Sequence, residues 1–143
     1  MTEAGRSMIQ KVGAIVLFVQ DLDGCMAFYR DTLQLPFQGS EPDTLAMFRL
    51  QEELSLVLLS PSGAADVLGT QVQALPNAGG GPRGYLAIGV ADVDATYGEL
   101  QARGVTFVQP PTDKPWRLRM AHFADPEGNL WEITQPIAAN PGE

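Results

Sequence analysis

Two kinds of hydrophobic pattern alternate along this chain. From Val12 to Val19 and again from Tyr85 to Val90 the apolar residues form short, nearly continuous runs containing β-branched side chains, which predicts strands. Each run ends in a V-x-D-x-D segment. The first is Val19-Gln20-Asp21-Leu22-Asp23, and it returns 71 residues later as Val90-Ala91-Asp92-Val93-Asp94. Beyond each segment the apolar spacing switches to about 3.6, at Cys25, Met26, Phe28, Tyr29 and Leu33 and then at Ala95, Tyr97 and Leu100, which predicts amphipathic helices. Asp23 and Asp94 are the expected N-caps, because a carboxylate there can accept from the unpaired N–H groups of the first turn. Gly104, after Arg103, suits the end of the second helix.

Strand signals follow each helix: Thr44 to Leu50 and Leu54 to Leu59, then Val105 to Val108, Arg117 to Phe123 and Leu130 to Thr134. The last two are joined by Asp125-Pro126-Glu127-Gly128-Asn129, in which Pro presets φ and Gly supplies a positive φ for a tight hairpin. Each half therefore reads β-α-β-β-β. The expected organisation is a first module over 8–75, a Gly/Pro linker over 76–84, a second module over 85–136 and a tail over 137–143. One unit of this size is short of a self-sufficient core, so the two should pair. The predicted α+β architecture is a curved, barrel-like sheet around a cavity, with helices outside. Period-two alternation assigns Ala14, Val16 and Phe18 to the cavity face, with Tyr85, Ala87 and Gly89 in the second half and Leu130, Glu132 and Thr134 in the last strand.

Composition narrows the function. The chain has 143 residues with 9 Lys+Arg against 17 Asp+Glu, a net charge of −8, one His and one Cys. With two lysines, Lys11 and Lys114, it cannot lay down a basic stripe for nucleic acid. A single cysteine forbids an internal disulfide. Cys25, at a helix start, is either a core residue or a thiol of lowered pKa. No signal-peptide pattern and no membrane-length apolar stretch is present, so a soluble, cytoplasmic protein is expected. One histidine leaves any site for Zn, Fe or Ni short of nitrogen ligands.

Three stretches, AIVLFVQDLDGCMAFYRDTLQLPF, LAIGVADVDATYGELQARGVTF and PWRLRMAHFADPEGNLWEITQ, resemble the vicinal oxygen chelate superfamily. That superfamily includes glyoxalase I, bleomycin-resistance and fosfomycin-resistance proteins and extradiol dioxygenases, and the pattern here is nearest to bleomycin-resistance-like members. The resemblance implies paired βαβββ modules in a homodimer whose cavities involve both chains. In metal-using members, ligands stand at positions that fall here on Ala14, Tyr85, Glu132 and either Ser55 or Val57. Only Glu132 is a good ligand for a divalent ion, so no cofactor is expected and a divalent metal would find an incomplete set.

Glu132 and His122 are the candidate acid–base or amine-binding pair, since they fall on neighbouring strands and the same face. Tyr85, Phe18, Phe48, Met120, Leu118, Trp116 and Arg119 are the candidate ligand contacts, Arg119 by its place in a W-x-x-R stretch that bleomycin-resistance-like members share. Two function classes follow. The first is a module without a standard metal site that binds a small aromatic or cationic molecule in a dimer cavity. The alternative is a metal-dependent lyase, isomerase or dioxygenase with an atypical ligand set drawn from Glu132, His122 and a partner-chain residue. An enzyme using Glu132 or His122 without a metal lies between them.

Overall fold

The computed structural model describes residues 8–69 and 84–138. In chain order the elements are β1 (Ala14–Phe18), α1 (Leu22–Ala27), β2 (Phe37–Glu41), β3 (Leu45–Gln51), β4 (Leu54–Leu59), α2 (Pro61–Leu68), β5 (Tyr85–Gly89), α3 (Val93–Ala102), β6 (Thr106–Lys114), β7 (Leu118–Ala124) and β8 (Leu130–Pro136). They build two four-stranded sheets of the same topology, β1-β4-β3-β2 and β5-β8-β7-β6. In each, the first strand runs parallel to the last and the other pairs are antiparallel. The repeat at the two V-x-D-x-D segments is thus a repeat of the whole βαβββ module.

Local chemistry accounts for the helices, with one correction. The N-caps are Asp21 and Asp92, two residues before the expected Asp23 and Asp94: Asp21 Oδ1 accepts from Gly24 N at 3.0 Å and Asp92 Oδ1 from Ala95 N at 3.1 Å. Both Asp residues of each motif are chemically suited. The first one wins because it lies outside the helix with an extended ψ, while Asp23 and Asp94 fall inside the first turn. Gly24 is what lets the Asp21 carboxylate come so close, since a Cβ there would collide with it. The end of α1 widens into a π-helical turn, Phe28–Thr32, with Leu33 N donating to Phe28 O at 2.9 Å. Gly104 ends α3 at φ +89°, as expected.

Two elements lay unmarked in the sequence reading. α2 starts with Ser60 as N-cap, its hydroxyl accepting from Gly63 N at 3.1 Å, and Pro61 in the first turn. β2 pairs with β3 through a bulge between Phe37 and Gly39. The expected linker falls almost wholly on residues 70–83, and the end of the expected tail on 139–143. Both lie outside the described residues.

The helix-side faces of the two sheets merge into one core. Ile15, Leu17, Phe48, Leu56 and Leu58 of the first half meet Phe123, Trp131, Ile133 and Leu100 of the second in a single apolar cluster. Tyr29 joins them. Its ring lies 6.1 Å from Phe48 and 5.8 Å from Trp131, and its hydroxyl donates to Asp125 Oδ2 at 2.7 Å while accepting from Trp131 Nε1 at 3.0 Å. Buried beside a carboxylate, the Tyr29 phenol has its pKa driven upward, chiefly by desolvation.

The DPEGN turn is the second tie between the halves. Gly128 takes φ +87°, Asp125 Oδ1 accepts from the Glu127 and Asn129 amides at 2.9 Å, and the Glu127 carboxylate accepts from Gln20 N at 2.7 Å and Asp21 N at 2.6 Å. Cys25 belongs to this junction. It is buried, its Sγ lies 3.4 Å from Glu127, and desolvation and that carboxylate push its pKa up to about 12, so the lowered-pKa alternative for this thiol is overturned.

The two sheets do not close on one another. The faces away from the core stay open: Val16 and Phe18 are exposed in β1, as is Tyr85 in β5, while Ile15, Leu17, Leu86 and Ile88 pack toward the core. The predicted parity is therefore the observed one, but the cavity face of each sheet meets solvent within one chain.

Candidate functional site

The open face of the second sheet carries the polar constellation. β7 and β8 pair with His122 directly opposite Glu132, so both side chains leave the same face. His122 Nε2 lies 3.0 Å from Glu132 Oε1, and the carboxylate is buried, with 4% of its residue surface exposed. A carboxylate only accepts, which places the shared hydrogen on Nε2. Nδ1 is buried with no partner, and so is Thr134 Oγ1 two residues along β8. Buried polar atoms of this kind call for a hydrogen-bond partner from outside the chain.

Tyr85 completes the group. Its ring stands edge-on to His122 at 5.3 Å, and hydrogen bonding to Glu132, joined by the repulsion of that carboxylate, raises the pKa of its phenol. One buried carboxylate is thus bonded to an imidazole and stands near enough to a phenol to raise its pKa. The arrangement can bind a hydrogen-bond donor or a cation, or move a proton.

The remaining sequence candidates separate. Met120 and Leu118 share the His122 face of β7, and Phe18 lies on the corresponding face of β1, 56% exposed. Phe48 does not line that face. Its register partner is Leu56, so it points into the core and is fully buried against Tyr29. Arg119 alternates to the helix side of β7 and binds Asp94 at 2.9 Å and Asp113 at 2.7 Å. Trp116 stands exposed in the turn between β6 and β7. A groove of about 670 Å³ lies where the halves meet, lined by Ile15, Leu33, Leu50, Leu86, Leu100 and Arg103 among others; Tyr85 is in its wall, but neither His122 nor Glu132 is.

A second polar group on an open face went unread in the sequence. On the first sheet Arg49 pairs with Ser55, and Ser55 with Ala14, placing all three in one row. Gln38, at the β2 bulge, reaches into this row. In the orientation that gives both ends of its amide a partner, the Gln38 oxygen accepts from Arg49 Nη2 at 3.1 Å and its nitrogen donates to Ser55 Oγ at 2.8 Å and to Phe48 O at 3.2 Å, whereas the reversed amide accepts from Ser55 Oγ and turns its nitrogen toward the guanidinium. The signal was available: parity from Val57 and Met47 puts Ser55 and Arg49 outward together.

The positions at which metal-using relatives of this fold hold their ion do not fit a cation here. Ala14 has no donor atom, Tyr85 offers only a phenol whose pKa is raised, Val57 is apolar, Ser55 stands beside a guanidinium, and Glu132 is already bonded to His122. Among the described residues no three His, Cys, Asp or Glu side chains gather closely enough to share an ion.

Residues 11–133 match the family model of the Glyoxalase/Bleomycin resistance protein/Dioxygenase superfamily. The chain belongs to that superfamily, also called the vicinal oxygen chelate superfamily. It is 35% identical over 124 residues to the uncharacterized protein YraH of Bacillus subtilis (strain 168), a match spanning 86% of this chain and 96% of that one. Among solved structures it resembles a glyoxalase/bleomycin resistance protein/dioxygenase from Nocardioides, with 25% identity and a TM-score of 0.77 over 98% of this chain and 93% of that one. It also resembles TnmS3, an antibiotic binding protein from Streptomyces sp. CB03234, with 28% identity and a TM-score of 0.66 over 92% and 99% of the two chains. Among the described residues no helix is long and apolar enough to cross a membrane.

Proposed function

We propose that this protein binds a small aromatic or cationic molecule between the open sheet faces of a homodimer, without a standard metal site. The observation that carries the reading is the buried Glu132 carboxylate, bonded to His122 and felt by the neighbouring Tyr85 phenol, on a sheet face that one chain leaves uncovered. A ligand ammonium there supplies what Glu132 attracts, and a ligand hydroxyl, which can donate or accept, supplies the partner that His122 Nδ1 has not got within the chain. Phe18 and Tyr85 offer aromatic surface for a flat ring or a cation, with each cation–π contact adding roughly 0.5–2 kcal/mol. Likeness to an antibiotic binding protein supports a small-molecule occupant.

A second chain is part of this reading because Val16, Phe18 and Tyr85 are exposed in one. The test is titration with proflavine, a planar aromatic cation, alongside light scattering. A dimer that binds proflavine, with Glu132→Gln weakening the complex about tenfold, is the expected outcome. A monomer, or a Glu132→Gln variant that binds as well as the parent, defeats the reading. Protein purified without added metal should carry no stoichiometric Zn, Ni, Fe or Mn; finding one by elemental analysis would favour the metal-dependent alternative.

A further inference from the structure

We infer that the Arg49, Ser55 and Gln38 cluster on the open face of the first sheet receives an acidic group of the ligand, a carboxylate, sulfonate or phosphate. The inference rests on the small-molecule reading above and narrows its ligand to a molecule that carries an anion.

Charge pairing singles out Arg49. In a chain with eight excess acidic groups, Arg30, Arg103 and Arg119 each hold a carboxylate, at 2.9, 2.6 and 2.7–2.9 Å. Arg49 holds none among the described residues, and its one bonded neighbour is the neutral Gln38 amide at 3.1 Å. Such an arginine, on the face opposite the core, keeps most of its five N–H donors unspent.

The neighbours are arranged as donors. With the Gln38 amide in the orientation that also bonds Arg49, its nitrogen is taken up by Ser55 Oγ and Phe48 O, so Ser55 Oγ accepts from Gln38 and its own hydrogen is free for a ligand. Guanidinium and hydroxyl then stand side by side in one row of β3 and β4, with Ala14 next in the row on β1. Ala14 adds no donor and no bulk, so the row has space beside its two donors. An Arg fork with an adjacent hydroxyl matches a planar or tetrahedral oxyanion. This row includes positions where metal-using relatives bind a cation; here its chemistry is that of an anion site.

The test uses two probes with one ring system, anthracene-9-carboxylate and the neutral 9-anthracenemethanol, titrated by fluorescence into the full-length protein. Parent protein should bind the carboxylate about tenfold more tightly. Arg49→Met should bring carboxylate affinity down to that of the alcohol, which itself stays unchanged, and Ser55→Ala should remove about a third of the preference on a logarithmic scale. If Arg49→Met fails to fold, Arg49→Lys replaces it, with the preference expected to fall at least threefold as the two-pronged geometry is lost.

Equal binding of both probes by the parent, or a preference that survives Arg49→Met, overturns the inference. A change of oligomeric state in Arg49→Met, read by light scattering, also overturns it, because the counter-ion of Arg49 would then belong to a second copy. The two failures are distinct: binding of the alcohol without preference for the acid removes only the anion site, whereas no binding of the alcohol or of proflavine removes the parent reading.

Discussion

Met47 and Val57 face each other across β3 and β4 as His122 and Glu132 do across β7 and β8. The two sheets share strand order and register, yet at this position one holds an apolar pair and the other a buried carboxylate with its imidazole. The row of Ala14, Ser55 and Arg49 reverses the contrast: it is cationic where the second sheet has Tyr85, Leu130 and Ala124. Duplication thus supplies two equivalent platforms, and a few substitutions give them opposite electrostatic character without disturbing the backbone. The core shows the same asymmetry. Leu56 and Trp131 occupy equivalent register positions, but only Trp131 extends a hydrogen bond across to the other half, through Tyr29.

That difference sets the largest expected effect. Trp131→Ala should cost about 3–5 kcal/mol in urea unfolding, since it empties a fully buried site and strips Tyr29 of a donor. Leu56→Ala, with no polar bond to lose, should cost less, and an equal cost for the two would show that the halves are energetically alike.

Exchanging the polar pair for its apolar counterpart tests the comparison more directly. His122→Met alone should cost about 2 kcal/mol by leaving a buried carboxylate with one fewer donor. The double variant His122→Met with Glu132→Val should return to within about 1 kcal/mol of the parent, because both partners of the buried pair are gone. Proflavine binding should be lost in the double variant, separating a site kept for function from one kept for stability.

Smaller effects belong to the hairpin turns. Glu127→Ala should cost about 1–2 kcal/mol, as the Gln20 and Asp21 amides lose their acceptor. Glu53→Ala, in the corresponding turn of the first half, breaks only the exposed pair with Lys11 at 3.0 Å and should stay within about 0.5 kcal/mol of the parent.

The remaining contrast between the halves is one of pH. The Cys25 thiol has its folded pKa raised from 9.0 to about 12, so the native state holds this proton where the unfolded state releases it. Its contribution to stability is therefore complete below about pH 9 and declines as pH rises from there toward 12. The equivalent residue of the second helix, Thr96, has nothing to titrate. Absorbance at 240 nm should show no thiolate in the native protein at pH 10 and a full thiolate signal in urea, and Cys25→Ala should flatten the fall in stability across that window.

Much of the fold was legible in order. Repeated V-x-D-x-D segments, strand runs and helical spacings placed both modules, and alternation alone put Glu132 and His122 on one face. The errors have physical causes. Asp21 and Asp23 are equally good caps as residues, and only the backbone ψ at the helix entrance chooses between them. Phe48 was set on the wrong face because its direction depends on pairing with Leu56, between bulges on either side of β3. Arg119, read as a ligand contact, turns to the helix side by the same alternation that sends His122 to the open face. α2 was a missed signal, since Ser60 before Pro61 is an N-terminal pattern that the sequence displays openly.

The sequence by itself determined the modular repeat, the strand faces and the one carboxylate–imidazole pair, because periodicity and spacing are local properties of the chain. The tertiary structure decided what those modules do to each other. Tyr29 reaching Asp125 and Trp131, and Glu127 reaching Gln20 and Asp21, join residues about a hundred positions apart. They also turn both helix-side faces inward to a common core, which leaves the two candidate faces looking outward. No local pattern encodes that choice, which is made by where two amphipathic layers bury the most apolar surface while keeping their buried polar groups bonded.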